Sequence, residues 1–310
     1  MKKYVYNLEL AGPKPGVDIT SDSPLMRLYI KWNKFVNQTL SNAWKAPENV
    51  EKKRISIPTR DGVKITGWLL EPKGTSECLP TILFCHGGAF FMPILPASMT
   101  LAGYYACELG CRVVIPEYRL TPRHRFPIPV NDCCDTIKYM DREADSFKLD
   151  MNRLIIYGES AGGCLATGVT HCCRDEHLAH PVGQMLIYPV TDSSQDYPSI
   201  TEYQFAPWSR LANLNMWKLY MPAAGDAESA VPMERDNYQL FPPTYVESAE
   251  IDVLRDQDLA YAKKMREAGV KVQSETIPGA YHGFDGEINS PLVKRVLAHR
   301  IDVLRQMLSQ

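Results

Sequence analysis

IIYGESAGG, residues 155–163, decides how this chain is read. The apolar run Leu154–Tyr157 reads as a buried strand, and small residues crowd Ser160 on both sides. Such a sequence turns sharply from strand to helix and holds the serine hydroxyl out at the corner. The G-x-S-x-G pattern alone is weak evidence, because Gly and Ser near 7% each supply roughly 0.1 chance matches in a chain this long. Three further features lend it weight: His86-Gly87-Gly88-Ala89-Phe90, an acidic segment over 250–258, and Tyr281-His282-Gly283-Phe284. Nucleophile, then acid, then histidine is the chain order such an apparatus takes on an α/β sheet.

Outward from the serine, strand-like and helix-like segments alternate. Arg54–Pro58 and Val63–Leu70 flank Asp61-Gly62, a hairpin turn signal. Strands are expected at Thr81–Cys85, Cys111–Ile115, Leu154–Tyr157, Val182–Tyr188, Thr244–Ser248 and Val270–Ile277. Helices are expected over about 98–109, about 129–145, from near Ala161, over Asp256–Ala268 and over Leu292–Leu308. This rhythm predicts a mostly parallel sheet with helices on both faces. Two regions stand outside it. Pro24–Trp44 reads as a helix whose Leu25, Leu28, Tyr29, Trp32, Phe35, Val36 and Leu40 form one apolar face that must cover something apolar, the core or a substrate pocket. The interval from Tyr188 to Phe241, with Trp208, Trp217 and Tyr220, is too long for a plain connection and reads as a second covering element.

A serine hydroxyl needs an adjacent base. His282 follows a strand, lies between Gly279 and Gly283, and falls where α/β sites gather, at the carboxyl edge of the sheet. His171, His177 and His180 follow the serine too closely, and His299 lies in the last helix. Asp252 is the first choice to orient His282, with Glu250, Asp256 and Asp258 as neighbours in competition. Gly87 and Gly88 can bring N–H groups close to a developing oxyanion, with Ala161 as a third donor. His86 is assigned to organising that loop through a hydrogen bond. Gly162 and Gly163 serve close helix–strand contact.

The composition is that of an ordinary globular protein, 45% hydrophobic and 23% charged, long enough at 310 residues for one large domain with a small cover. A formal net charge of -2 gives no general attraction to nucleic acid or anionic membrane, and no stretch reaches bilayer-spanning length. Lys2 and Lys3 are not followed by an apolar signal core, so a cytoplasmic protein is expected. Nine cysteines, an odd number without C-x-x-C or zinc-type spacing, read as reduced and mostly buried thiols rather than as metal ligands.

Taken together, HGGAF (86–90), Tyr118-Arg119-Leu120 with Phe126-Pro127, GESAGG (158–163), DVLRD (252–256) and HGF (282–284) resemble the hormone-sensitive lipase-like family of α/β-hydrolases, in particular its small bacterial carboxylesterases and acetyl esterases. The resemblance spans about residues 50–310. It implies an eight-stranded, mostly parallel sheet over 51–310, and a cap built from the N-terminal segment 1–50 and the insertion 190–235. It implies Ser160, Asp252 and His282 as triad, Gly87, Gly88 and Ala161 as oxyanion donors, and a small-molecule ester as substrate, with acetyl to butyryl chains expected. A homodimer is compatible with it, since the closing helix can pack within one subunit or against a second. Three departures stand out: Ala89 where another glycine is frequent, the bulky Phe91-Met92-Pro93, and Arg123 where an acidic residue often follows the proline. The cycle so read needs neither metal nor organic cofactor. The same apparatus also fits a deacetylase, a lactonase or an amidase. A noncatalytic small-molecule receptor is the alternative from another class, though it has no need of an intact triad. Dinucleotide binding is disfavoured because GESAGG lacks the G-x-G-x-x-G arrangement.

Overall fold

The computed structural model describes residues 4–13, 24–221 and 228–309. Its elements in chain order are α1 (Pro24–Ala43), β1 (Val50–Pro58), β2 (Lys64–Pro72), β3 (Leu79–Cys85), α2 (Pro96–Leu109), β4 (Arg112–Pro116), α3 (Ile128–Arg142), α4 (Ala144–Phe147), β5 (Leu149–Glu159), α5 (Ala161–Asp175), β6 (Gly183–Ile187), α6 (Pro198–Glu202), α7 (Arg210–Tyr220), β7 (Thr244–Ile251), α8 (Arg255–Glu267), β8 (Val272–Tyr281) and α9 (Pro291–Leu308). The eight strands form one sheet in the order β1-β2-β4-β3-β5-β6-β7-β8. The Asp61-Gly62 turn closes the antiparallel β1–β2 hairpin, β2 runs antiparallel to β4, and every later pairing is parallel. Residues of α3, α5 and α8 bury one face, and those of α2 and α9 the other. This is the eight-stranded, mostly parallel α/β sheet expected from the sequence. The closing helix spends its apolar side on its own sheet, with Leu297, Ile301 and Leu304 buried.

Register explains why the chemistry collects at one edge. β3 lies between β4 and β5, so the chain crosses over it and the sequence order reverses there. Crevices for ligands open at the carboxyl ends of strands flanking such a reversal. Cys85 pairs with Gly158, which sets the loop after β3 beside the turn after β5. Ile251 pairs with Tyr281, so the next residues, Asp252 and His282, emerge side by side.

The helix α1 forms where its periodicity predicted, but its apolar face does not bury as expected. Leu28, Trp32, Phe35 and Leu40 are 64%, 63%, 65% and 51% exposed. Ile30 packs, partly buried, against the core, while the polar contacts of α1 with the body gather near its end: Gln38 Nε2 donates to Glu117 at 2.8 Å and Ser41 Oγ to the Ile94 carbonyl at 2.6 Å. Periodicity reports that a face exists, while burial requires an opposing surface along the helix, which the body offers mainly to its last turns. The side chains of Leu25 and Tyr29 lie outside the described residues. In the interval 188–241 the chain folds into α6, α7 and two short 3-10 turns. Ser209 caps α7 by accepting from the Ala212 N–H at 3.1 Å. Tyr220 of α7 stacks on Phe90 at 3.7 Å, joining this interval to the loop after β3.

Candidate active site

At the end of β5 the chain turns on Ser160, held at φ 53° and ψ -123°. A left-handed φ is costly for a residue with a Cβ and persists where the surroundings over-determine it. Here they do. The Ser160 N–H donates to the Ile187 carbonyl at 2.9 Å, and the Ser160 carbonyl accepts from Gly163 and Val190, each at 2.9 Å. A side chain on Gly158 would collide with the Gly162 carbonyl, and one on Gly162 with the Cys85 carbonyl. Close approach of α5 to β3 and β5 therefore accounts for these glycines, as the sequence suggested for Gly162.

The hydroxyl of Ser160 lies 2.8 Å from His282 Nε2, and His282 Nδ1 lies 2.6 Å from Asp252 Oδ2. Asp252 is fully buried, and its other oxygen accepts the Leu254 N–H at 3.0 Å. A buried carboxylate on Nδ1 keeps that nitrogen protonated and leaves Nε2 free to take the serine proton. The competing acids lie elsewhere. Glu250 accepts from the Gly279 N–H at 2.6 Å, and Asp256 pairs with Arg255 at 2.8 Å and accepts from the Ser199 N–H. Asp258 is buried with both oxygens unpartnered, and burial pushes its carboxyl well up. Two rings fix the imidazole: Tyr188 at 4.7 Å between centroids and Trp208 at 5.8 Å.

The loop after β3 corrects one expectation. Gly87, assigned as an oxyanion donor, gives its N–H to Glu159 Oε1 at 3.2 Å. Among the described residues the N–H groups of Gly88, Ala89 and Ala161 make no hydrogen bond. Ala89 stands at φ 52°, a conformation that glycine adopts at less cost, which is where the sequence departs from the longer glycine run. His86 stacks on Tyr118 at 4.2 Å, its Nδ1–H donates to the Gly87 carbonyl at 2.7 Å, and its own carbonyl accepts from Tyr118 Oη at 2.8 Å.

Glu159 escaped the sequence reading although it sits inside the quoted motif. An acid at the end of a buried strand, next to Ser160, was the available signal. Its carboxylate accepts from Gly87 and from Ser98 Oγ, and burial, followed by the charge of Asp285, raises its pKa to about 7. Asp285 was also missed. It accepts from Tyr188 Oη at 2.5 Å and pairs with Arg300 at 2.8 Å, and Arg300 also pairs with Glu247 at 2.5 Å. This fully buried cluster ties the His282 loop to α9 and β7. The resulting pocket, of about 220 Å³, is walled chiefly by Phe91, Met92, Leu95, Leu101, Tyr188 and Trp208, with Ser160 and His282 on its floor. Among the described residues no group of His, Cys, Asp or Glu is arranged to hold a metal ion, and no helix is long and apolar enough to cross a membrane.

An eight-stranded sheet of this order with a Ser-His-Asp line at its carboxyl edge defines the α/β-hydrolase class of protein. The chain belongs to the alpha/beta hydrolase fold family, whose pattern matches residues 82–286, and it is related to esterases and lipases. It is 32% identical over 243 residues to ethyl acetate hydrolase of Pseudomonas putida, covering 74% of each chain. It is 29% identical over 259 residues to versiconal hemiacetal acetate esterase of Dothistroma septosporum, covering 79% of this chain and 78% of that one. Among solved structures it superposes on a bacterial heroin esterase with a TM-score of 0.86 and 29% identity over 98% of both chains. These likenesses support serine-hydrolase-type ester cleavage.

Proposed function

We propose that the protein is a serine carboxylesterase of the hormone-sensitive lipase-like type that hydrolyses short-chain acyl esters. The observation that carries this reading is the continuous line from Ser160 Oγ through His282 to buried Asp252, opening on a small apolar pocket. His282 Nε2 takes the hydroxyl proton as Oγ attacks the ester carbonyl, and Asp252 offsets the imidazolium charge. The oxyanion meets the N–H groups of Gly88 and Ala161, with Ala89 as third donor in place of Gly87. His282 then protonates the leaving alcohol, and a water activated by the same nitrogen releases the acid.

A cavity of about 220 Å³ suits a small substrate, since pockets for larger organic ligands start near 300 Å³. The names of two relatives, ethyl acetate hydrolase and versiconal hemiacetal acetate esterase, favour acetyl esters. The segments 1–50 and 190–235 act as a cap in this reading, supported by Trp208 lying over His282. Nine free thiols accord with a reducing, cytoplasmic setting.

The test is the initial rate on p-nitrophenyl acetate, butyrate, hexanoate, octanoate and decanoate beside Ser160→Ala. Turnover should peak at the short chains and vanish in the variant. A peak at decanoate would reject the short-chain assignment, and no serine-dependent turnover on any of the five would reject the esterase itself.

A further inference from the structure

The loop after β3 is shared by two cavities. Gly87, Gly88 and Ala89 line the Ser160 pocket, whereas His86 lines a second cleft of about 460 Å³ between α1 and the segment 117–124. Two residues on the wall of this cleft, His86 and Thr121, carry polar atoms that are buried and unpartnered, Nε2 and Oγ1. His86 is 0% exposed and Thr121 4%. Since a carbonyl oxygen only accepts, the 2.7 Å contact to Gly87 fixes the proton of His86 on Nδ1. Burial holds the ring's pKa down at about 4, so at neutral pH Nε2 is a bare acceptor. It calls for a ligand that brings its own O–H or N–H.

The charges lining the cleft call for an anion. Lys31, Lys34 and Arg123 make no ion pair among the described residues. The other two charged groups are spent elsewhere: Arg119 on Asp132 and Asp61, and Glu117 on Arg54. Burial and then the charge of Arg123 hold the Lys34 ammonium below its ordinary pKa, which places these two cations within electrical reach of each other. Like charges gathered around a cleft are relieved by a bound counter-ion. Acetate or sulfate would answer the charge but bring no hydrogen for His86. Hydrogen phosphate and short 2-hydroxy acids bring both.

We propose that this cleft binds a small oxyanion carrying its own hydroxyl, with Lys34 and Arg123 facing its charge and His86 Nε2 accepting from its O–H. Nothing in this proposal depends on the chemistry at Ser160.

Isothermal titration of the full chain at neutral pH and constant ionic strength tests it, with phosphate, lactate, sulfate and acetate as separate ligands. Phosphate, lactate or both should bind saturably, and sulfate and acetate about tenfold more weakly or worse, having no donor for a buried acceptor. The tighter of phosphate and lactate identifies which class the site takes. The double variant Lys34→Gln/Arg123→Gln should lose about tenfold in affinity, while ester turnover is retained because neither residue lines the Ser160 pocket. The charge-keeping pair Lys34→Arg/Arg123→Lys should bind as the wild type does. Four results would overturn the proposal: no saturable binding of phosphate or lactate, sulfate binding as tightly as phosphate, binding that survives the glutamine pair, or loss of binding in the charge-keeping pair.

Discussion

At the carboxyl edge of the sheet each member of the Ser160–His282–Asp252 line has fixed partners: Ser160 is pinned by three backbone hydrogen bonds, Asp252 by Leu254 and His282, and His282 by two aromatic rings. On α1, by contrast, Leu28, Trp32 and Phe35 meet solvent, and the helix is held near its end by a few polar contacts. The first region is over-determined, so removing one group leaves others buried and unsatisfied. The second is under-determined, so the same truncation removes little. Substitutions in the two regions should therefore differ by orders of magnitude, and they can be ranked.

The largest effect should come from Asp252→Asn. The amide cannot hold His282 in the tautomer that leaves Nε2 bare, and kcat on p-nitrophenyl acetate should fall by about 10⁴. A loss below tenfold would mean that the line from Ser160 to Asp252 is not the one that reacts. Next comes Arg300→Leu, which strands the buried carboxylates of Glu247 and Asp285. Breaking a fully buried pair from one side costs about 3–5 kcal/mol, readable in urea unfolding. A loss near zero would show that the cluster does not anchor the His282 loop.

Glu159→Gln should act through pH. Burial raises the folded-state pKa of Glu159 from 4.5 to about 7, so the folded protein holds a proton that the unfolded chain releases. Stability from this group is complete below about 4.5 and is lost as pH rises through about 7. Glutamine still accepts from Gly87 and Ser98 but cannot ionise. Relative to the variant, the wild type should lose up to about 3 kcal/mol across that window. A difference of opposite slope in unfolding measured along a pH series would contradict the assignment. The smallest effect should belong to Trp32→Ser and Phe35→Ser, each within about 0.5 kcal/mol of wild type by the same unfolding assay. A cost above about 2 kcal/mol would place these side chains in a packed surface and erase the contrast between the two regions.

The same contrast decides what the sequence made legible. Strands β3 to β8 and the helices α2, α3, α5 and α8 follow from apolar runs and periodicity, because each is buried against a regular neighbour. GESAGG, DVLRD and HGF set Ser160, Asp252 and His282 at the carboxyl ends of β5, β7 and β8, since short motifs at strand termini inherit their positions from the sheet. The donor loop was less legible. That Gly87 is engaged by Glu159 depends on the Cys85–Gly158 register and on a side-chain direction, and neither is written in local sequence. Asp285 and Arg300 are 15 residues apart and meet only because α9 folds back over the sheet. The exposed face of α1 is the complementary failure: its amphipathic pattern was read correctly as a pattern, while the extent of the opposing surface is a tertiary fact.

The most direct test of the central claim is covalent. A fluorophosphonate probe should be attacked by Ser160 Oγ, with fluoride leaving and the hydroxyl proton passing to His282. Peptide mass spectrometry after brief exposure should find a single adduct on the peptide containing Ser160. It should be absent after Ser160→Ala and slowed by about 10⁴ in Asp252→Asn. Labelling that is spread over several serines, or that is as fast in Asp252→Asn as in the wild type, would contradict the account.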